Sequence, residues 1–391
     1  MAEIVNTARI PVHVFAPMDA IQPECITQAE NVANLPVSFH HVALMPDAHV
    51  GYGIPVGGVA AIENALIPYA VGNDIGCGVA TCSLGVNARD VRRGDLGRLL
   101  DNVSSRVPVG PKTRKRPLKS RLFSNLPNLP VVLANRDRAE RQLGTLGSGN
   151  HFIEFQADEE GWMWVMIHSG SRNVGLRVCT HYSRRAKSRR KRDRSVKRLR
   201  DANLSWLELG DGSDGDSYLA EMSFCQDYAR ENRRLMMNEI MRAARQVLGK
   251  ITEGERIDIH HNYAEKESHY GKEVWVHRKG AVRAETGDTV LVPGSMATAS
   301  YAGRGLGLAE SFRSSAHGAG RKMGRGQRKR SFTPQQVAHG MDRRNIAPKA
   351  PKSGLVGESG WSYKDVDMVM SSQSELVAPV RRLRPVAVLK G

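Results

Sequence analysis

The amino-acid sequence predicts an α+β protein, one large domain with a single composite site. Three observations predict it. Short apolar runs of strand length are separated by Gly-rich turns. Strands and helices do not alternate in the regular units that build a parallel sheet. Unusual polar residues are scattered from position 47 to position 390 with no clean linker between them, which favours one large domain over 1–391. With 391 residues, 40% hydrophobic and 25% charged, the chain can bury a sizeable core.

The elements follow from local pattern. HHVALMP (40–46), WVMIH (164–168), VWVHRKG (274–280) and DTVLVPG (288–294) read as strands from their length and β-branched content. A weaker helical pattern surrounds Glu140. One long helix is expected from Tyr218 to Leu248, where Leu219, Met222, Cys225, Ala229, Met236, Ile240, Ala243 and Val247 recur largely in steps of three and four, and Gly249 provides the stop. Basic stretches at 108–121, 184–200 and 322–352 read as loops.

Charge narrows the function classes. Lys and Arg number 57 against 40 Asp and Glu, a net of +17. The segment Arg184 to Arg200 holds 11 basic residues and one acid, more than half of the excess. A clustered excess favours contact with a nucleic-acid backbone over a general solubility role, although a solvated insertion has the same composition. The start, MAEIVNTARIPVHVF, lacks a basic region followed by an apolar run, and no stretch reaches the ~18 apolar residues of a membrane span. Cysteines stand at 25, 77, 82, 179 and 225, an odd number with no C-x-x-C pair, so a disulfide framework is not expected. The expected setting is the reducing cytoplasm, without a membrane partner.

Six Gly-rich or His-rich segments carry the chemistry: MPDAHVGYGIPVGG (45–58), VGNDIGCG (71–78), LGSGNHFIE (146–154), IHSGSR (167–172), IHHNYAEKE (259–267) and HGAGR (317–321). Asp74 and Cys77 share a tight turn that can aim a carboxylate and a thiolate at one ion. With imidazoles from His151, His168 and His261 such a set suits Zn, Mn, Fe or Co better than Mg or Ca, and a bridging sulfur would let it hold two ions. By spacing alone these histidines read more readily as core or surface groups than as ligands. His317 lies in a small-residue turn with Arg321 four positions on, which suits attack on phosphorus, although by itself the turn reads first as a histidine capping a helix. PGSMATAS (293–300) reads either as a backbone N–H cradle for a phosphate or base, or as a turn.

Taken together, in this order and with YKDVD (363–367) and the closing LKG, these segments resemble the RtcB-type RNA ligases over almost the whole chain. The resemblance implies mixed and antiparallel sheets with flanking helices around a composite metal site, and a ligase that joins an RNA 3′-phosphate or 2′,3′-cyclic phosphate to a 5′-hydroxyl in tRNA splicing or RNA repair, with GTP and two Mn²⁺ ions as cofactors. Cys77 would bridge the ions, with Asp74 and His151 on one and His168 and His261 on the other. His317 would attack the α-phosphate of GTP to give a His–GMP intermediate, with Asp47 orienting its ring, and GMP would pass to the RNA 3′-phosphate as an RNA–ppG end. Asn150, Glu154, Ser295, Ser300, Tyr363 and Lys390 would contact the nucleotide. Arg172, Arg184, Arg185, Arg189 and Arg190 would hold RNA phosphates. RNA ends and GTP are the expected partners, and an activating protein is left open.

The chain departs from the family pattern in three places. Ala297 stands where a glycine is usual, Gly360 in GESGW (357–361) where a proline is expected, and the 184–200 stretch is more basic than the corresponding family segment. Two other readings use the same residues: a metal-dependent phosphodiesterase on RNA ends, and a non-ligating RNA-binding paralogue.

Overall fold

The computed structural model describes residues 2–192, 199–322, 333–351, 356 and 360–391. Two sheets dominate these residues. The first has six strands in the order Glu3–Val5, Val12–Val14, Ser38–His49, Val56–Ile62, Lys272–Lys279 and Asn262–His269. All its pairings are antiparallel except that of Val12–Val14 with Ser38–His49. The second runs Ile257–His260, Gly78–Asn87, Trp162–Ser169, Phe152–Ala157, Val377–Lys390, Ser300–Gly305 and Thr289–Val292, with Ala347–Lys349 added in parallel to Val377–Lys390. The α+β class is the one the sequence predicts, and the mixed and antiparallel sheets are those its resemblance implies. The four predicted strands fall in Ser38–His49, Trp162–Ser169, Lys272–Lys279 and Thr289–Val292.

The long helix is Asp214–Leu248, four residues longer at its start than its apolar pattern indicates. Ser213 caps it by accepting from the Asp216 amide at 3.0 Å, Asp214 and Asp216 complement the N-terminal dipole, and Gly249 ends it at φ 78°. Met236, Met237, Ile240 and Met241 pack against Val165 and Ile167 of the second sheet and against Leu99, Leu100 and Val103 of the helix Arg93–Arg106. The first half of the long helix packs against Val174, Val178 and Tyr182. The weak pattern at Glu140 resolves into Pro130–Ala134 and Arg136–Gln142.

Two loop expectations are corrected. Residues 184–192 are the last turns of the helix Arg172–Arg192. Val174, Val178, Tyr182 and Ala186 keep a buried face in register there, and arginine is a good helix former, so charge alone did not signal a loop. Residues 193–198 lie outside the described residues. The stretch 322–352 contains the helix Pro334–Asp342, opened by a Thr333/Gln336 capping box, and the strand Ala347–Lys349; its residues 323–332 are not among those described. Among the described residues no helix is long and apolar enough to cross a membrane.

Candidate active site

Sheet register gathers the metal-ligand candidates. Gly78 lies opposite both Ser169 and His260, and Phe152 lies opposite both His168 and Lys390. Adjacent strands therefore begin or end along one line, which brings Cys77, His151, His168, His261 and Lys390 to the same end of the second sheet. Cys77 Sγ sits 3.5 Å from His151 Nε2 and 3.3 Å from His168 Nε2. His168 Nε2 is 3.3 Å from His261 Nε2, and Asp74 Oδ2 is 2.8 Å from His151 Nε2. The ligating atoms of Cys77, His151 and His168 all lie within 4.8 Å of one another, and all three residues are buried.

This donor set fits a metal ion. Cys25, Cys82, Cys179 and Cys225 each sit in an apolar cluster; Cys77 is in none. Burial, and then the Asp74 carboxylate, push the Cys77 thiol well above its ordinary value, while burial and neighbouring imidazoles hold His168 and His261 well below theirs. Burial works to raise Asp74, but His151 and Arg172 bring it below the usual carboxylate value. His168 Nε2 faces Cys77 Sγ and His261 Nε2 at the same 3.3 Å; its one proton or one lone pair serves one hydrogen-bond partner well, whereas a cation among the three atoms accepts a lone pair from each. His151 Nδ1 donates to Leu146 O at 3.0 Å, which leaves Nε2 as the ligating atom.

His317 follows the strand Ser314–Ala316 and faces this cluster, its ring centroid 4.7 Å from that of His261. Its Nδ1 lies 2.6 Å from Oδ2 of Asp47, at an angle outside hydrogen-bond geometry, and its amide donates to the same oxygen at 3.2 Å. Asp47 is fully buried on the strand Ser38–His49. Two glycines let the chain close on it: a Cβ at Gly57 (φ 85°) would stand 2.7 Å from Ala48 Cα, and one at Gly320 (φ 70°) would overlap the Asp47 carbonyl. Lys364 Nζ donates to Pro46 O and Ala48 O, both at 3.0 Å, and ties the 360–364 segment to the same strand.

A cavity of about 800 Å³ opens over these groups, lined by Asp74, Cys77, His168, His261 and His317 and by Asn150, Glu154, Ser295, Tyr363 and Lys390. Lys390 is the last residue of the strand Val377–Lys390 and is 3% exposed; its Nζ lies 3.5 Å from Asn150 O, so it is no frayed tail. Burial raises the Glu154 carboxyl to about 8, partly offset by Gln156 Nε2 donating at 2.6 Å and by Lys390. Ser300 stands behind the lining, where its hydroxyl accepts from Gln156 Nε2 at 3.0 Å and from the Gly294 amide at 3.2 Å. Arg321 donates to the Tyr363 hydroxyl at 3.2 Å and lies 5.1 Å over its ring.

The 293–300 loop is a turn whose amides are used internally. Ser295 N donates to Thr298 Oγ1, Ala297 N to Ser295 Oγ and Thr298 N to Ser295 O. What it offers the cavity is side chains, Ser295 foremost, rather than a row of N–H donors.

The arginines divide. Arg172 is half-buried behind the metal cluster, donating to Thr145 Oγ1 and Gly110 O. Arg184, Arg185, Arg189 and Arg190 lie ~18–27 Å further along the same helix and do not line the cavity. Arg185 and Arg189 pair with Asp214 at 2.5 and 2.6 Å, and Arg190 pairs with Glu208 at 3.1 Å while stacking 4.3 Å over Trp206.

Three site residues had no sequence signal of their own. Arg233, 0% exposed, binds both oxygens of Asp258 and donates to Gly76 O and Ser169 O at 2.9 and 2.8 Å, bracing the strand ends that carry Cys77 and His168. Asn262 holds Asp74 O at 3.1 Å. Lys279, 7% exposed, donates to Tyr52 O, Ile54 O and Tyr69 O.

A family model described as tRNA-splicing ligase RtcB matches residues 28–128 and 122–391. The chain belongs to the RtcB family. It is 34% identical to the RNA-splicing ligase RtcB1 of Escherichia coli strain ATCC 25922 and 33% identical to the RNA-splicing ligase RtcB of strain K12, each over 100% of this chain and 99% of the relative. It is 32% identical to the tRNA-splicing ligase RtcB of Pyrobaculum aerophilum, over 98% of this chain and 95% of that protein. The RtcB match spans every segment that builds the cavity from Asp47 to Lys390, so the strand-end cluster, the His317 turn and the C-terminal strand fall within one family framework.

Proposed function

We propose that this chain, as one domain over 1–391, is a GTP- and Mn²⁺-dependent RNA ligase that joins 3′-phosphate or 2′,3′-cyclic phosphate ends to 5′-hydroxyl ends in tRNA splicing or RNA repair. One observation carries the reading. An imidazole backed by a buried carboxylate, His317 with Asp47, stands beside a Cys/His cluster in a cavity large enough for a nucleotide.

Asp74, Cys77 and His151 would hold one Mn²⁺ ion and Cys77, His168 and His261 the other. Bound there, such ions offset phosphate charge and help align nucleophile and leaving group. His317 attacks the α-phosphorus of GTP: a P–N bond forms, the bond to pyrophosphate breaks, and His–GMP remains. Asp47 keeps Nδ1 on its own side, which leaves Nε2 for the attack and stabilises positive charge on the ring. An oxygen of the RNA 3′-phosphate then takes the guanylyl group from His317, giving RNA–ppG. The 5′-hydroxyl attacks the activated phosphate, and GMP leaves. Asn150, Glu154, Ser295, Tyr363 and Lys390 surround the nucleotide, with Ser300 supporting Glu154 through Gln156. The reducing cytoplasm, where a Cys77 thiol persists, suits this chemistry.

The test is incubation with Mn²⁺ and GTP labelled at the α-phosphate, followed by denaturation, with His317→Ala alongside. Acid-labile, alkali-stable label on the wild type only, and subsequent joining of RNA ends, is the expected result. Cleavage or hydrolysis of RNA ends without label would overturn ligation in favour of a phosphodiesterase.

A further inference from the structure

At the rim of the cavity the chain carries an exposed aromatic side chain whose position is fixed from below. Tyr52 lines the cavity and is 68% exposed. Its ring centroid lies 6.4 Å from that of Tyr69, and Lys187 Nζ lies 5.2 Å over the Tyr69 ring. Lys187 belongs to the helix Arg172–Arg192, so Tyr69 links Tyr52 at the cavity rim to the most basic described helix.

The two tyrosines are held by one buried ammonium group. Lys279 Nζ donates to Tyr52 O at 2.5 Å, Ile54 O at 3.1 Å and Tyr69 O at 3.1 Å, which uses all three of its protons. Gly53, at φ 73°, lets the turn press against its neighbour: a Cβ there would meet Asn203 O at 3.3 Å and Tyr69 Cβ at 3.4 Å. A large exposed ring on a turn so firmly anchored is not explained by packing.

The helix beyond has two basic faces. At 100° per residue, Arg184, Lys187 and Lys191 share one face and Arg185 and Arg189 another. The second face is occupied by Asp214. The first carries the cation over Tyr69, with Arg184 and Lys191 exposed on either side of it. Glu24 also lines the cavity and repels a phosphodiester there.

We propose that single-stranded RNA next to a joined end leaves the cavity across Tyr52, with a base stacked on that ring, and runs on over Tyr69 to the Arg184–Lys187–Lys191 face. Stacking accepts any base because every base has a π face, and the helix face holds phosphates without reading sequence, as a ligase for varied ends requires. The inference rests on the ligase reading above and adds an RNA path to it.

The test measures binding of two short single-stranded RNAs, one ending in 3′-phosphate and one in 5′-hydroxyl, by fluorescence anisotropy without GTP, across a salt series. Tyr52→Ala should weaken one of the two by roughly 5- to 150-fold, and the RNA affected identifies which strand uses the path. Tyr52→Trp should retain affinity. The double variant Arg184→Ala/Lys191→Ala should flatten the log–log salt slope for that RNA by about 1.4. In ligation the Tyr52→Ala loss should fall on KM for RNA more than on labelling of the protein by GTP. Wild-type affinity for both RNAs in Tyr52→Ala, or an unchanged salt slope in the double variant, would overturn the path. A wild-type protein that binds RNA but takes no label from GTP would instead overturn the ligase reading, so the two failures are separable.

Discussion

Ala297 and Gly360 share one side-chain space. A Cβ built on Gly360 would stand 3.1 Å from the Ala297 Cβ and 3.1 Å from Ser295 Oγ, tighter than side chains normally pack. These are two of the three places where the sequence departs from the resembled pattern, glycine being usual at 297 and proline expected at 360. Against that pattern, side-chain carbon at this contact stands at 297 instead of at 360. Ala297 is also outside the left-handed region, so its side chain strains no backbone there.

A double-mutant cycle tests this compensation. Gly360→Ala alone should cost about 1–3 kcal/mol by overpacking, read as a shift in the urea midpoint. Adding Ala297→Gly should return at least 0.5 kcal/mol of it, as expected for residues in contact. Equal costs of Gly360→Ala in both backgrounds would mean that the two positions do not communicate.

Removing the Asp47 carboxylate should act on chemistry, not on metal. Asp47→Asn keeps the volume in a fully buried site and withdraws the charge beside His317 Nδ1. Labelling by GTP should fall about a hundredfold or more, with bound metal unchanged by elemental analysis. A parallel loss of metal would assign Asp47 to the integrity of the strand instead.

Cys77 should govern metal-dependent stability. A chelator should lower the wild-type melting temperature, because an ion present at about 100 times its Kd adds roughly 2.7 kcal/mol to the folded state. Cys77→Ala should show little shift with Mn²⁺ and no label from GTP, yet bind RNA nearly as the wild type does. A full Mn²⁺ shift in that variant would remove Cys77 from the ligand set.

Glu154 should leave a pH signature. Its carboxyl is raised from 4.5 to about 8, so the folded protein keeps a proton that the unfolded chain has lost between those values. The associated stability is full below about pH 4.5 and is lost as pH rises through about 8. Melting temperatures of wild type and Glu154→Gln, compared from pH 5 to 9, should diverge in favour of the variant as pH rises. A constant difference would place the ionised form in the folded protein throughout.

Arg233 should be irreplaceable by another cation. Its guanidinium grips both oxygens of Asp258 and two carbonyls at once, a fork that lysine does not reproduce. Arg233→Lys and Arg233→Met should each cost about 3 kcal/mol or more in chemical denaturation, since each leaves buried partners unsatisfied.

Legibility from the sequence followed the kind of signal each residue gives. Strands with β-branched runs and a helix with a long apolar period declare themselves locally. The start of that helix did not, because Ser213 and Asp214 act as cap and first turn and carry no apolar period. Charge misled at 184–192, where a buried face at Val178, Tyr182 and Ala186 outweighed it. In the His260–His261 pair, motif resemblance chose His261; only the register shows why, since His260 is the strand residue opposite Gly78 and turns its Nδ1 to Gly76 O at 2.9 Å. Arg233, Asn262 and Lys279 were silent because they act by bracing carbonyls of distant residues, and a sequence does not say which carbonyls will be neighbours.

The proposed ligands stretch from Asp74 to His261 and meet only because four neighbouring strands have reached their final register. Of the proposed ligands, only Asp74 and Cys77 are brought together by a single short turn. The second sheet must therefore be assembled before the cluster exists, and contacts this remote in sequence are the slow ones to form. Metal selection then belongs to the finished protein: the choice among competing ions falls to a rigid, buried cage and to whatever the cell supplies once synthesis is over, rather than to a flexible nascent chain that would take the tightest-binding ion it met first.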